Sequence, residues 1–379
     1  MITGPLLAAF ERQAGWCSQP SPFNTRLLQR GLVWLQQDQE AHDTLAALSA
    51  DPLAAAVALR WLAGLHHLAL LGLQPWAALW PSAAAHATAH VTAHASAHAT
   101  ASTAADADDT ALDGAIRLAW QQQRQHMVRA LAQPPQTNEV QRSAALLPAL
   151  LHVAAHTGLP LSLLEIGASA GLNLWLDRYR YQLDTHNGNT GRPWAWGDTT
   201  SALCLRPEWL GAAPPQAQLQ IGHRAGCDAL PLDLQAPGED LRLASFIWPD
   251  QPDRLQRLRA AITVARASMV ASGVRVQALG AADFLRQQLA RRLPGHCTVL
   301  MHSVVWQYIA ADEQADIHAQ MDEAATSATA AAPLAWLRFE PPAPDLRVEL
   351  RCRVWPEGAD TLLAHCHPHG ARIDWVAPA

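Results

Sequence analysis

Apolar residues recur at intervals of three and four through the first eighty positions, predicting helices over Leu6–Ala14, Thr25–Gln37 and Pro52–Leu71. Further helices are expected at Leu112–Leu131, stopping at Pro134-Pro135, and at Val140–His156, before Gly158 and Pro160. No strand pattern precedes Leu161. From there the period changes. Leu161–Ile166 is a short apolar run ending on glycine, and a helix is expected after it from about Gly171 to Tyr179. Residues 180–217 carry Trp, Gly, Asn and Pro and suggest turns and short strands. Then strands at Gln218–His223, Val274–Leu279 and Thr298–Val305 alternate with helices at Pro252–Ala267, Ala282–Leu293 and Glu313–Ala325. Strands at Leu334–Phe339, Leu346–Val354 and Arg372–Val376 close the chain. The alternation predicts a parallel sheet, and the closing strands an antiparallel edge.

Two regions are expected from this pattern. Residues 1–158 read as a helical N-terminal region and residues 159–379 as an α/β domain with a Rossmann-like sheet. Ala83–Asp109 interrupts the helical part with Ala-His-Ala-Thr repeats and reads as a disordered insert. His86, His90, His94 and His98 recur every four residues and would line one face of a helix, but inside such a repeat no metal site is expected. The run from Pro52 to Leu73 contains Arg60, His66 and His67, so a buried helix is expected there and no membrane span.

The chain has 379 residues, half of them apolar, and a net charge of −6, which gives no basic surface for nucleic acid. It contains no lysine. That excludes a P-loop lysine and a pyridoxal Schiff base. Six scattered cysteines without a C-x-x-C pair suit a reducing cytoplasm. Cys366, His367 and His369 cluster tightly but lack a fourth ligand, and no metal is expected there.

Glu165-Ile166-Gly167-Ala168-Ser169-Ala170-Gly171-Leu172-Asn173 falls at a strand-to-helix turn. Gly167 and Gly171 allow backbone angles closed to other residues, and the free amides of a helix start would face a ligand. The stretch resembles the first motif of class I S-adenosylmethionine-dependent methyltransferases. That resemblance implies a methyltransferase-type sheet, with S-adenosylmethionine at Glu165, Gly167, Ser169, Gly171 and Asn173. A carboxylate for the ribose would be Asp228 or Asp250, with Asp228 preferred, and Asp283 would meet the adenine. The segment His302–Tyr308 resembles the one facing the transferred methyl. Glu139 and His302 are the candidate bases. Asn138, Trp306, His367 and His369 are candidates for contact with a small-molecule substrate. Taken alone, Asp283 suits a helix N-cap, Trp306 a core position and Asn138 a cap.

Gly167-Ala168-Ser169-Ala170-Gly171 also spells the G-x-S-x-G nucleophile elbow of α/β-hydrolases, with Asp250 or Asp283 and His302 or His367 to complete a triad. The helices upstream offer neither the preceding strands nor the oxyanion loop of that fold. A third reading is a degenerate fold that binds a nucleotide-like ligand without turnover.

Several stretches together resemble one bacterial family, domain of unknown function 2332. They are Pro134–Glu139, Glu165–Asn173 with Asp177-Arg178-Tyr179, Gly226-Cys227-Asp228, Trp248-Pro249-Asp250-Gln251, His302–Tyr308 and His367-Pro368-His369-Gly370. The resemblance runs from about residue 134 to the end and assigns no reaction. The expectation is a cytoplasmic methyltransferase-like protein acting on a small acceptor, its oligomeric state open.

Overall fold

A computed structural model describes residues 4–82, 108–183, 194–343 and 347–377. The His-Ala repeat expected to be an insert lies outside the described residues, apart from Asp108 and Asp109. The chain forms two compact units: residues 1–137 with 237–256, and residues 138–236 with 257–379.

The first unit is helical. Its elements are α1 (Pro5–Cys17), α2 (Pro22–Gln37), α3 (Gln39–Ala46), α4 (Val57–Leu70), α5 (Trp76–Leu79), α6 (Asp109–Gln122), α7 (Arg124–Ala132) and α9 (Glu239–Ser245). The single helix expected over Leu112–Leu131 is broken at Gln123, whose φ of −118° lies outside the helical range. Indole rings fill the core. Trp34 stacks on Trp61 at 6.1 Å between centroids and meets Trp120 edge-on at 5.6 Å. Gly31 lets α2 approach Trp61, since a Cβ there would lie 2.7 Å from the ring.

The second unit is a mixed α/β structure on a nine-stranded, mostly parallel sheet. Its strands are β1 (Leu161–Ile166), β5 (Glu208–Gly211), β6 (Ile221–Asp228), β7 (Val276–Ala278), β8 (Cys297–Ser303), β9 (Leu334–Glu340), β10 (Val348–Trp355), β11 (Asp360–Cys366) and β12 (Arg372–Trp375). Their order is β5-β12-β11-β10-β9-β8-β1-β6-β7. The pairs β7·β6, β6·β1, β1·β8 and β8·β9 are parallel, while β9 to β12 form an antiparallel meander. The chain leaves β1 for β6 on one side and later inserts β8 on the other, so strand order reverses at β1. A separate small sheet holds β2 (Arg180–Leu183), β3 (Trp194–Trp196) and β4 (Cys204–Leu205).

Two layers cover the large sheet. Helix α8 (Ser143–Thr157) packs on β9, β10 and β11. It therefore belongs to the sheet-containing unit rather than to the helical region preceding residue 159. On the opposite face lie α11 (Ala281–Leu289) and α12 (Ala311–Thr326), burying Phe284, Leu285, Ile317 and Met321 against Leu164, Leu300 and Trp336. The long helix α10 (Pro252–Ser272) starts in the first unit and ends in the second. Among the described residues no helix is long and apolar enough to cross a membrane.

Candidate functional site

The carboxyl end of β1 turns through three residues in left-handed conformation: Gly167 (φ +67°), Ser169 (φ +52°) and Gly171 (φ +75°). Serine rarely adopts that region, so the turn is over-determined by its surroundings. A Cβ on Gly167 would lie 2.4 Å from Val305 Cγ2. The glycine thus admits Val305 of this chain against its backbone. Beyond the turn the chain forms a 3₁₀ segment, Leu172–Arg178, with non-helical angles at Trp175, in place of the expected α-helix. Its geometry is set by Arg224 on β6, which forks onto Asp177 (2.8 and 3.0 Å), donates to the Leu174 carbonyl (2.6 Å) and stacks on Trp175.

The amides of this turn are largely engaged within the protein. Ala168 N donates to the Cys227 carbonyl, Ser169 N to Asp228 Oδ2 (2.9 Å), Gly171 N to the Ala168 carbonyl and Leu172 N to Asn138 Oδ1 (2.8 Å). The expected fan of free N–H groups at a helix start is therefore absent, because no regular helix begins there and Asn138 takes its first amide.

Glu165 lies beneath the turn on the α8 face, 2 % exposed. Burial pushes its carboxyl up to about 8; a hydrogen bond from Asn173 pulls the other way, the charge of Asp228 adds to the rise and Arg142 opposes it. Glu165 Oε2 is buried with no hydrogen-bond partner. Ser143 Oγ donates to Asn173 Oδ1 at 2.8 Å. Glu139 begins the short 3₁₀ turn Val140–Arg142, its Oε1 accepting from Gln141 N at 3.2 Å. Arg142 ties that turn to the carbonyls of Pro368 (2.9 Å) and Ser303 (3.0 Å). His367 and His369 sit in the β11–β12 turn, and Gly370 (φ +70°) brings that turn against Gln141. Glu165, Gly167, Ser169, Gly171, Asn173, Asp228, Asn138 and Glu139 are therefore one neighbourhood.

Asp250 and Asp283 have partners of their own. Asp250 belongs to the helical unit, where it accepts from Ser21 Oγ (2.6 Å) and Phe23 N (3.1 Å) at the start of α2. Asp283 is exposed and pairs with Arg286 one turn on. Nor is it the N-cap of α11; Gly280 holds that position, and Glu313 of α12 accepts from Ala282 N. Ser169 is itself buried.

His302 and Trp306 lie on the other face. There β8, β9 and β10 present His302, Trp336, Arg338, Glu340, Glu349 and Arg351 to an open recess of about 370 Å³, with Trp306 and His318 on its walls. Glu340 Oε1 accepts from His302 Nδ1 (2.7 Å), Val305 N (3.0 Å) and Trp306 N (3.4 Å). Sequence reasoning misses Glu340. The available signal is Trp336, Arg338 and Glu340 at alternate positions, polar residues emerging on one face of an otherwise buried strand.

These features define a mixed α/β protein with a loaded turn at the point where its sheet order reverses. The chain belongs to the family described as an uncharacterized protein conserved in bacteria, domain of unknown function 2332, whose model matches residues 74–375. No curated protein and no solved structure matches it.

Proposed function

We propose that this protein is an S-adenosylmethionine-dependent methyltransferase acting on a small acceptor. One observation carries the reading: a left-handed turn ends β1 at the reversal of strand order, and its Ser169 amide lies 2.9 Å from the carboxylate that ends the neighbouring strand β6. In doubly wound sheets, ligands bind outside the carboxyl ends of the strands at this reversal. The parallel order β7-β6-β1-β8-β9, with neighbours added on both sides of β1, supports the reading, and the closing antiparallel meander speaks neither way.

The residues present suit the cofactor through acids more than amides. Asp228, which ends β6 beside the turn, suits ribose hydroxyls, and Glu165 offers a buried oxygen, Oε2, without a protein partner. When bound, the cofactor would supply an electrophilic methyl. The chain's own work is to hold the acceptor in line and to take up its proton.

Calorimetry with S-adenosylhomocysteine tests the reading. Binding is expected, weakened about 10- to 100-fold by Asp228→Ala, the loss of hydrogen bonds to a charged group, and unchanged by Asp283→Ala. Gly167→Val is a poor probe, since its side chain collides with Val305 before any ligand arrives. No heat of binding at millimolar ligand would end the methyltransferase reading; binding without methyl transfer to any acceptor would leave a ligand-binding module.

A further inference from the structure

The recess on the β8–β10 face contains three buried polar atoms without hydrogen-bond partners: His302 Nε2, Glu340 Oε2 and Arg338 Nε. Such a group is costly to bury unless something pairs with it. All three residues line one cavity, which points to a ligand. The walls are flat. Trp306 stacks on His302 at 5.1 Å and 22°, Trp336 stands 5.8 Å from Trp306 at 63°, and His318 lies 4.9 Å from Trp336. Planar aromatic molecules fit such walls.

Glu340 decides what the imidazole can do. With its Oε1 accepting from Nδ1 and from two backbone amides, Nδ1 carries the proton and Nε2 presents its lone pair. His302 is only 1 % exposed, so its ring is held by packing as well. A carboxylate beside an imidazole stabilises the imidazolium formed when the far nitrogen takes a proton. The surrounding charges select further. Glu340 and Glu349 disfavour a ligand that arrives as an anion, while Arg338 and Arg351 disfavour a cation. A neutral molecule that becomes anionic only as His302 becomes cationic keeps the recess balanced.

We infer that this recess binds a neutral phenol and that His302 Nε2 takes its proton. The phenolic O–H bond breaks, the proton passes to Nε2, and the imidazolium then lies between the Glu340 carboxylate and the phenolate. This goes beyond the methyl-transfer reading and does not rest on it, since the recess lies on the sheet face opposite Glu165. Binding and proton transfer stand apart from it.

The test uses 4-nitrophenol and the full-length protein with no adenosyl compound present. Saturable quenching of tryptophan emission is expected, with a larger phenolate absorbance at pH 6 than the free phenol gives. His302→Gln should retain quenching but lose the absorbance gain, and Glu340→Gln should reduce that gain. Nitrobenzene, which has no proton to give, should bind wild type at least tenfold more weakly. Three results would overturn the inference: no saturable quenching at millimolar phenol, an undiminished phenolate signal in His302→Gln, or equal affinity for nitrobenzene. The nitrobenzene comparison needs no variant, so it holds even if His302→Gln fails to fold. Failure to bind S-adenosylhomocysteine would count against the cofactor reading alone.

Discussion

Glu165 is the penultimate residue of a strand buried along its whole length, and it is a carboxyl group with one oxygen unpaired. Burial raises its titration from the ordinary 4.5 to about 8, so near neutral pH it stands mostly protonated. The folded state therefore holds a proton that the unfolded chain releases. Stability from this group is complete below about 4.5 and is lost as pH rises towards 8, on the order of a few kcal/mol in all. Glu165→Gln, neutral and of the same shape, is expected to flatten that slope. Urea unfolding at pH 5 and pH 8.5 measures it; equal slopes for the two proteins would show that Glu165 titrates like a surface carboxyl. In the sequence Glu165 is visible as the start of a glycine-rich turn. The packing of Asn138 and Ser143 around the same turn is not, because those contacts join segments about thirty residues apart.

At the level of elements, the segment after β1 is held by one buried ion pair. The Arg224 and Asp177 side chains are 8 % and 14 % exposed, and Arg224 also carries the Leu174 carbonyl and the Trp175 ring. Arg224→Met leaves the Asp177 carboxylate only the exposed Arg178 at 3.6 Å, and a loss of about 3 kcal/mol is expected in urea unfolding, partly recovered by adding Asp177→Asn. No recovery in the double variant would assign the loss to packing. This pair explains why the helix expected from Gly171 is a 3₁₀ segment: apolar spacing in Leu172–Leu176 suits either, and the tertiary anchor chooses. Strands β1, β8 and β9 are legible because they are continuous apolar runs. Strand β6 begins and ends later than its pattern suggests, since Gly222, Arg224 and Gly226 interrupt its alternation. Strand β11 escapes notice because Leu362-Leu363-Ala364 shows no period of two, and β5 because its four residues pair with β12 far along the chain. The recess is the least legible feature. It depends on β8–β10 register, which puts His302 beside Arg338 and Arg338 beside Arg351.

On the scale of the whole molecule, residues 237–256 are the instructive stretch. They interrupt the α/β unit in sequence yet belong to the helical one, where Trp248 packs on the core and Asp250 secures the start of α2. A Trp-Pro-Asp motif that reads as a cofactor acid is there a structural tie. The helical unit also carries its own titrating group. Burial lowers His67 from 6.5 to about 4, with the nearby charges of His126 and Arg242 adding to the drop. A depressed histidine gives stability that is present above 6.5 and lost as pH falls through about 4. Glu165, with the larger shift, works in the opposite sense in the other unit, against the burial-lowered His152, His223 and His318. Acidification from pH 7 to 5 should thus loosen one unit and tighten the other. Hydrogen exchange, corrected for its intrinsic pH dependence, can follow both in one sample. Protection in Val57–Leu70 is expected to fall while that in Leu161–Ile166 rises, and His67→Gln should weaken only the first trend, the burial-lowered His126 keeping its share. If both segments moved together in wild type, the two units would be unfolding as one, and neither pH response could be assigned to its own buried group.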